Sequence, residues 1–414
     1  MRTRRNQKTG SELPELIVVI PTHNEPSLDE TLLSLLHSNR AVAFQIQIIV
    51  VVNDSNSSPA GVRKMNAETL QYLKLKKAQF AADGINLTPI DSTGLSAVAS
   101  GVGLARKSGM DLAASILSEG GRADRPIVSL DADCTVSPNY IREIERFFRE
   151  NDADAVSIHF EHPLTLAIGK DATRAIVEYE LVMRYFVDGL RRAGYPAAFH
   201  TVGSAMAVRA SIYLAEGGMN TRQGAEDFYF LQKIIARGNF FELNQATVFP
   251  SPRPSTRAPF GTGQAVSKRL SGSDCPKVHP LVALNDIETL FNSLNHCTRK
   301  TDCAEITSLC SPAMKTYLQQ QKFTTVWQSA LDNTSTDRTF KKRVYAWFNL
   351  FRARKYFASE GFDLTRLPVV DAAKQLYGDI IHSAGTPYVN DDDVSLLLEI
   401  RKAHWAGKRY AYVI

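Results

Sequence analysis

Two acidic residues, Asp131 and Asp133, follow a short apolar run and are separated by a single residue. The run at residues 127–130 has the composition of a buried parallel strand, and ligands of open α/β sheets bind beyond the carboxyl ends of such strands. Carboxylate oxygens suit Mg²⁺ or Mn²⁺, and Mg²⁺ commonly takes one or two carboxylates together with substrate phosphates. The pair therefore indicates a metal that bridges the protein to a nucleotide diphosphate, although an isolated Asp-x-Asp also occurs in solvated turns.

Three other polar clusters occupy comparable positions in the chain. The first predicted strand ends in PTHNE (residues 21–25), and the second ends in Asn53 and Asp54. The segment GAED (residues 224–227) places two acids at the start of a predicted helix, where the helix dipole also favours them. Because several apolar runs end in acids or amides, the sequence predicts one shared polar site at a sheet edge.

Strand-like and helix-like segments alternate over the first half of the chain, which predicts a parallel sheet with right-handed crossovers. Beyond residue 276 the pattern is helical, and apolar side chains over residues 340–360 recur at helical spacing. The expected fold class is α/β, with a mostly parallel sheet flanked by helices and a C-terminal helical region. Strands are predicted at residues 16–21, 46–52, 85–89, 127–130, 155–159 and 205–209, and helices at residues 27–38, 60–80, 101–117, 138–150, 172–193 and 225–237.

The stretch PSPRPSTRAPFGTG (residues 250–263) is rich in Pro, Gly, Ser and Thr, which predicts a loop. Arg253 and Arg257 are candidates for a clamp on phosphate or on an acidic acceptor. The Phe-Gly-Thr-Gly segment that follows is a candidate hinge for closing the loop over a ligand. A solvated surface linker is the alternative.

The composition sets the broad class of protein. A length of 414 residues, with 44% hydrophobic and 22% charged residues, fits a soluble globular chain of two domains. The net charge of +5 is too mild to indicate a nucleic-acid partner. Without a spanning apolar stretch, a secretory signal or a C-x-x-C pair, the chain is expected to be cytoplasmic with free thiols. Four of the first eight residues are basic, which predicts a disordered tail; contact with the inner membrane face stays open.

The ordered segments IVVIPTHNE, VVVNDSNS, GVGLARKSGMDLA, VSLDADC and GAEDFYFL resemble the motifs of family 2 glycosyltransferases with the GT-A fold. The resemblance covers roughly residues 15–240. It implies a GT-A domain at residues 15–250, which follows the basic tail at residues 1–14. A loop or lid at residues 251–275 and a mainly helical region at residues 276–414 would follow.

The resemblance also implies roles for individual residues. Asp54 would contact the nucleotide base, and Asp133 together with Asp131 would hold Mg²⁺ or Mn²⁺. Asp227 would match the general base of an acidic pair, with Glu226 beside it. The residues expected to bind the nucleotide-sugar are Thr22, Asn24, Glu25, Asp54, Arg106, Asp131, Arg253 and Arg257.

These roles imply a metal-dependent transfer of a sugar from a UDP- or GDP-linked donor to an acceptor hydroxyl. A divalent cation would neutralise the charge that develops on the leaving diphosphate. A carboxylate would take the acceptor proton as the new bond forms, and one displacement would invert the anomeric carbon. The acceptor stays open among a glycan, a lipid-linked sugar and a small metabolite.

Several alternatives remain on sequence grounds. A sugar-phosphate nucleotidyltransferase would carry an N-terminal Gly-rich signature, where this chain has PTHNE. A non-catalytic sugar-nucleotide-binding protein would not need the acids at positions 133 and 227. Arg106 and Lys107 could instead form an exposed charge pair on a helix, and His279 is a candidate additional metal ligand. Self-association stays open.

Overall fold

The structure, a computed structural model, describes residues 13–40, 42–96, 101–220, 225–255, 261–359, 365–383, 392–406 and 411–412. The chain divides into two compact units. The first comprises Met1–Pro163, Thr201–Ser251 and Lys408–Val413, and the second comprises Leu164–His200, Pro252–Gly407 and Ile414.

Helices and strands occur in both units, and the main sheet belongs to the first unit. The strands of the described residues, in chain order, are β1 (Ile17–Thr22), β2 (Ile46–Ser55), β3 (Ile85–Leu95), β4 (Pro126–Ser129), β5 (Cys134–Val136), β6 (Ala155–Phe160), β7 (Met206–Arg209), β8 (Phe240–Pro250), β9 (Lys277–Val278), β10 (Leu367–Pro368) and β11 (Ala411–Tyr412). The α-helices are α1 (Leu28–Asn39), α2 (Ala60–Ala82), α3 (Val102–Glu119), α4 (Tyr140–Glu150), α5 (Lys170–Arg192), α6 (Ala210–Ala215), α7 (Glu226–Arg237), α8 (Thr262–Leu270), α9 (Leu281–His296), α10 (Cys303–Ser308), α11 (Pro312–Gln320), α12 (Phe323–Asp332), α13 (Asp337–Trp347), α14 (Leu350–Phe357), α15 (Val369–Ser383) and α16 (Asp393–Ala406).

The strand order of the main sheet is β11-β8-β6-β7-β4-β1-β2-β3, and β5 pairs with β8 outside this path. Strands β1, β2, β3, β4, β6 and β8 run in one direction, while β5, β7 and β11 run in the other. Every residue of β1 and β2 is buried, as expected of central strands with nearly continuous apolar sequence. The predicted fold class, a mostly parallel α/β sheet flanked by helices with a helical C-terminal region, is confirmed.

The pairing register determines which loops meet at one edge of the sheet. Ile17 of β1 lies opposite Gln47 of β2 on one side and Ile127 of β4 on the other. The carboxyl ends of these three strands therefore lie side by side. Strand β7 is antiparallel to β4, so the residues that precede Met206 lie at this same edge. The sheet thus gathers loops from distant parts of the chain.

The second unit is built around α5, which packs against α8, α9, α15 and α16. Buried ion pairs join these helices: Glu180 on α5 pairs with Arg184 on the same helix and with Arg401 on α16. Although α5 lies within the predicted 15–250 domain, it is assigned to this second unit. The functional division at residues 14, 250 and 275 stays a prediction.

The structure adds detail to several predicted elements. The segment predicted as a loop or lid, residues 251–275, includes α8, on which Val266 is buried against Ala175 and Ile176 of α5; its role as a lid stays a prediction. The helical pattern at residues 340–360 forms two helices, α13 and α14, and the side chain of Asn349 caps the second. Strands β5 and β8 were not predicted from the sequence. Among the described residues, no helix combines the length and apolarity needed to cross a membrane.

Candidate active site

Asp131 and Asp133 lie in the tight connection between β4 and β5, at the carboxyl edge of the sheet. Two contacts fix this connection. The hydroxyl of Thr31 on α1 donates to the carbonyl oxygen of Ala132 at 2.8 Å, and the backbone N–H of Ser251 donates to the carbonyl oxygen of Asp133 at 3.1 Å. The backbone that carries both carboxylates is therefore held from two sides.

Arg106, on the first turns of α3, lies at the centre of an acidic cluster. Its Nη2 donates to Asp131 Oδ1 at 2.6 Å, and its Nη1 donates to Glu226 Oε1. The side chain is only 4% exposed, so the alternative that Arg106 and Lys107 form an exposed charge pair is wrong. Lys107 instead pairs with Asp111, one turn further along α3. One buried guanidinium thus connects two of the predicted motifs.

Glu226 and Asp227 begin α7, after Ala225 in a left-handed conformation with φ of 55°. Asp227 Oδ2 accepts a hydrogen bond from the backbone N–H of Gly203 at 2.8 Å, and its Oδ1 accepts from the N–H of Phe228 at 2.7 Å. Gly203 belongs to the segment that enters β7 at this sheet edge. A Cβ built on Gly203 would lie 2.8 Å from Asp227 Oδ2 and 3.1 Å from Arg106 Cζ. Asp227 and Arg106 therefore both lie close to the position that a side chain at residue 203 would occupy.

Burial perturbs the ionisation of this cluster. Burial raises the pKa of Glu226, and the negative charge of Asp227 adds to this effect while Arg106 opposes it. Burial also raises the pKa of Asp227, again against the influence of Arg106. Burial by itself would lower the pKa of Arg106, but Asp131, Glu226 and Asp227 together raise it above its ordinary value. Arg106 is therefore a permanent cation, and the acids it faces include groups with elevated pKa values, a pattern common at catalytic sites.

A second polar cluster lies at the ends of β1 and β2 and is organised by Asn66 on α2. The Asn66 side-chain amide donates to Asp54 Oδ2 at 2.9 Å and to the carbonyl oxygen of Asn53 at 3.1 Å. Its Oδ1 accepts from the backbone N–H of Asn24 at 2.9 Å. The backbone N–H of Gly94, in β3, donates to Asp54 Oδ1 at 2.7 Å. The buried carboxylate of Asp54 is thus oriented from both sides.

Thr22 is the last residue of β1, Glu25 lies in the turn that follows, and both are buried. Glu25 Oε1 accepts a hydrogen bond from the backbone N–H of Ser27 at 2.8 Å, just before α1. The imidazole of His23 contacts the carbonyl oxygen of Asn53 at 2.8 Å through Nδ1. These contacts fold the PTHNE segment against the end of β2.

Three predicted residues fall outside these two clusters. Arg253 belongs to the second unit, and Arg257 lies outside the described residues. His279 also belongs to the second unit, where its ring stacks on Phe357 with centroids 5.1 Å apart. Their proposed roles stay predictions.

The residues at the β4–β5 connection fit a divalent cation in their chemistry. Asp131 and Asp133 provide hard carboxylate oxygens, and Arg106 contacts one oxygen of Asp131. Burial, followed by the charges of Asp133 and Asp131, raises the pKa of Cys134 well above its usual range. Within the described part of the chain, no three His, Cys, Asp or Glu residues form a metal-holding group. A two-carboxylate donor set suits Mg²⁺ or Mn²⁺ that is completed by phosphate and water oxygens.

Asn66 and Gly203 are residues of the site that were not predicted from the sequence. Asn66 lies in the middle of a helix whose other polar residues are mostly exposed, and only its complete burial distinguishes it. Gly203 contributes a backbone N–H and the absence of a side chain. Neither property produces a recognisable residue pattern.

Scans against protein-family models and against curated protein sequences found no match. A search of solved structures found TarS residues 1–349 from S. aureus in complex with UDP-GlcNAc, which has 14% sequence identity, covers 94% of this chain and 91% of that chain, and gives a TM-score of 0.40. It also found the mannosyltransferase PcManGT from Pyrobaculum calidifontis in complex with GDP-Man and Mn²⁺, which has 13% identity, covers 95% and 86% of the two chains, and gives a TM-score of 0.33. Identities and TM-scores this low assign no activity and no residue role to this chain.

Proposed function

We propose that this protein is a metal-dependent glycosyltransferase of the GT-A, family 2 type, which moves a sugar from a UDP- or GDP-linked donor to an acceptor hydroxyl with inversion. One observation supports this proposal most directly: Arg106 joins Asp131 and Glu226, which belong to motifs far apart in the sequence, in one buried cluster. Three segments of the sequence resemblance thereby meet at the edge where α/β sheets bind their ligands.

In this proposal, Asp133 and Asp131 would hold Mg²⁺ or Mn²⁺, which when bound would supply charge neutralisation for the departing nucleotide. Asp54 recognises the nucleotide base, and Asn66 and Gly94 orient its carboxylate through the hydrogen bonds described above. Thr22, Asn24 and Glu25 shape the adjoining turn.

Asp227 is the proposed general base. Its carboxylate is held by two backbone N–H groups, whereas Glu226 contacts the guanidinium of Arg106. Burial raises the pKa of Asp227, which brings a carboxylate closer to the proton affinity that a base needs near neutral pH. Glu226 is the structural member of the pair.

The proposed transferase domain spans residues 15–250, and the helical C-terminal region spans residues 276–414. The proposed lid between them, residues 251–275, includes α8. It also carries Arg253 and Arg257, whose proposed role is to bind the donor phosphates.

Donor hydrolysis in the absence of an acceptor tests the proposal. The protein is incubated with a panel of UDP- and GDP-sugars in Mn²⁺ or in EDTA, and release of the free sugar is measured. We expect slow hydrolysis of one donor class, dependent on Mn²⁺ and lost in Asp133→Asn. The matched control is Asp124→Asn, an exposed acid that pairs with Arg125, and it should retain activity. Hydrolysis that is unchanged in EDTA or in Asp133→Asn would exclude the metal assignment, and turnover of no donor would exclude the transferase.

A further inference from the structure

We infer that Arg106 is a positioning residue that couples the donor-metal carboxylate Asp131 to the acid pair at the start of α7, rather than a ligand of the nucleotide. This inference rests on the proposed function. The sequence resemblance assigns Arg106 to the nucleotide or its phosphates, but in the structure its two terminal nitrogens contact Asp131 and Glu226.

The geometry leaves little freedom to the guanidinium. Arg106 is 4% exposed and Glu226 is 3% exposed at their side chains, whereas Asp131 is 38% exposed. The buried contact with Glu226 therefore holds Arg106 in place, and the second contact of the guanidinium orients the more accessible carboxylate of Asp131. A planar guanidinium, whose N–H donors have fixed directions, can join two carboxylates in this way, whereas a lysine ammonium acts as a single point charge.

Gly203 completes the arrangement. Its backbone N–H donates to Asp227, and a side chain at this position would lie 3.1 Å from both Arg106 Cζ and Nη1. The same glycine thus sets the separation between the proposed base and the guanidinium. A change at Gly203 alters the positions in the cluster without altering its charge.

This coupling predicts that substitutions of Arg106 lower kcat without weakening the affinity for the metal. In Arg106→Gln, Asp131 loses its cationic partner. Mn²⁺ should therefore bind the nucleotide-free protein about 3- to 10-fold more tightly, because the positive charge of Arg106 no longer repels the metal ion. The carboxylates lose their fixed geometry, so kcat for donor hydrolysis should fall about 100-fold. In Arg106→Lys the charge remains, so Mn²⁺ affinity should stay within about twofold while kcat still falls at least about 10-fold.

The test measures Mn²⁺ binding to nucleotide-free protein by electron paramagnetic resonance of the free ion, together with kcat and KM for the donor. Lys107→Gln is the matched control, since it removes the same charge one residue further along α3, where it pairs with Asp111. It should change neither quantity by more than about twofold. Circular dichroism and thermal unfolding establish that each variant is folded.

Tighter Mn²⁺ binding with lower kcat in Arg106→Gln would support the inference, because damage to the fold would weaken both. Weaker Mn²⁺ binding, or kcat near the wild-type value, would overturn it, as would a rise in donor KM alone, which a nucleotide ligand would produce. If Arg106→Gln does not fold, Gly203→Ala should lower kcat about 10- to 100-fold with Mn²⁺ affinity unchanged, and normal kcat there would overturn the inference. A wild-type protein without Mn²⁺ binding or donor hydrolysis would instead refute the proposed function itself.

Discussion

At the residue scale, Glu226 and Asp227 have different surroundings although they are adjacent in the chain. Glu226 pairs directly with the guanidinium of Arg106, whereas Asp227 accepts hydrogen bonds from two backbone N–H groups and also experiences the charge of Arg106. A carboxylate paired with a guanidinium is a weaker proton acceptor than one that accepts only neutral hydrogen bonds. This difference is why the proposed function assigns proton transfer to Asp227 and a structural role to Glu226.

Replacing Asp227 with Asn should separate binding from chemistry. The amide keeps the shape of the side chain and accepts one of the two backbone hydrogen bonds, so donor affinity should stay within about threefold. The amide cannot take up the proton of the attacking hydroxyl, so kcat should fall about 10²- to 10⁴-fold. Titration calorimetry with the nucleoside diphosphate and Mn²⁺ gives the affinity, and single-turnover hydrolysis gives the rate. Transfer at a near-normal rate in this variant would place the base elsewhere.

The pH dependence of kcat follows from the pKa of Asp227, which burial raises above the ordinary value for aspartate. A general base works only when it is ionised, so kcat should fall as the pH decreases through this raised pKa. The acidic limb of the rate profile should therefore lie above about pH 4, the usual range of an exposed aspartate. Rates at saturating donor across a pH series provide the measurement, and thermal unfolding at each pH serves as the control. A kcat that stays constant down to pH 4 would contradict the assignment.

The sequence predicts which residues lie at this sheet edge better than it predicts which of them contact each other. Polar residues at the ends of parallel strands lie at one edge, which is why Asp54 and Asp131 were predicted correctly as strand-end residues. The burial of Arg106 was not predicted, because a basic residue on a helix normally faces solvent. Its partner Glu226 lies 120 positions further along the chain, and only the tertiary fold brings the two together.

At the scale of elements, α3 fixes the position of Arg106 by packing closely against the sheet. One turn after Arg106, a Cβ built on Gly109 would lie 2.4 Å from Val19 Cγ1 and 3.0 Å from Val51 Cγ2. These valines belong to the central strands β1 and β2. The absence of a side chain at Gly109 therefore determines how near α3 approaches the strands whose ends form the site.

Gly109→Ala should destabilise the protein although alanine favours helices. The added methyl group must displace buried valines, which costs about 1–3 kcal/mol and exceeds the gain of about 1 kcal/mol in helix propensity. Gly378→Ala on α15 is the matched control, because a Cβ there meets no described atom within 4 Å. That control should stabilise by about 0.5–1 kcal/mol. Urea midpoints for both variants provide the comparison, and a midpoint for Gly109→Ala at or above the wild-type value would contradict the packing argument.

Elements that depend on distant partners were the ones that sequence patterns did not predict. Strand β8 buries Glu242, Asn244 and Thr247, so its sequence lacks both a continuous apolar run and a regular alternation. The predicted helix over residues 172–193 agrees with α5, although the sequence did not predict the partners of its charged residues. Glu180 is fully buried because Arg401, 221 residues later, pairs with it. Local periodicity identifies such a helix but not the neighbours that neutralise its charges.

At the scale of the whole molecule, both polar clusters belong to one compact unit assembled from three chain segments. A ligand that binds there contacts residues that are distant in sequence and come together only in the folded chain. Such a ligand binds the native state and leaves the unfolded chain unaffected, so it raises the free energy of unfolding by mass action. Unfolding of the intact protein can therefore test the proposed nucleotide site even before an acceptor is known.

Thermal unfolding with UDP, GDP and ADP, each with Mn²⁺ or EDTA, should identify the nucleoside that the proposed site accepts. At a ligand concentration of about 100 Kd the stabilisation is about 2.7 kcal/mol, which is enough for a measurable rise in Tm. We expect UDP or GDP to raise Tm in Mn²⁺, with little effect in EDTA because the diphosphate then faces Asp131 and Asp133 without a bridging cation. In Asp133→Asn the Mn²⁺-dependent part of the rise should disappear, whereas the exposed control Asp124→Asn should retain it. An equal rise with ADP would argue against selection of the base by Asp54, and no rise with any nucleotide would argue against a nucleotide site at this edge.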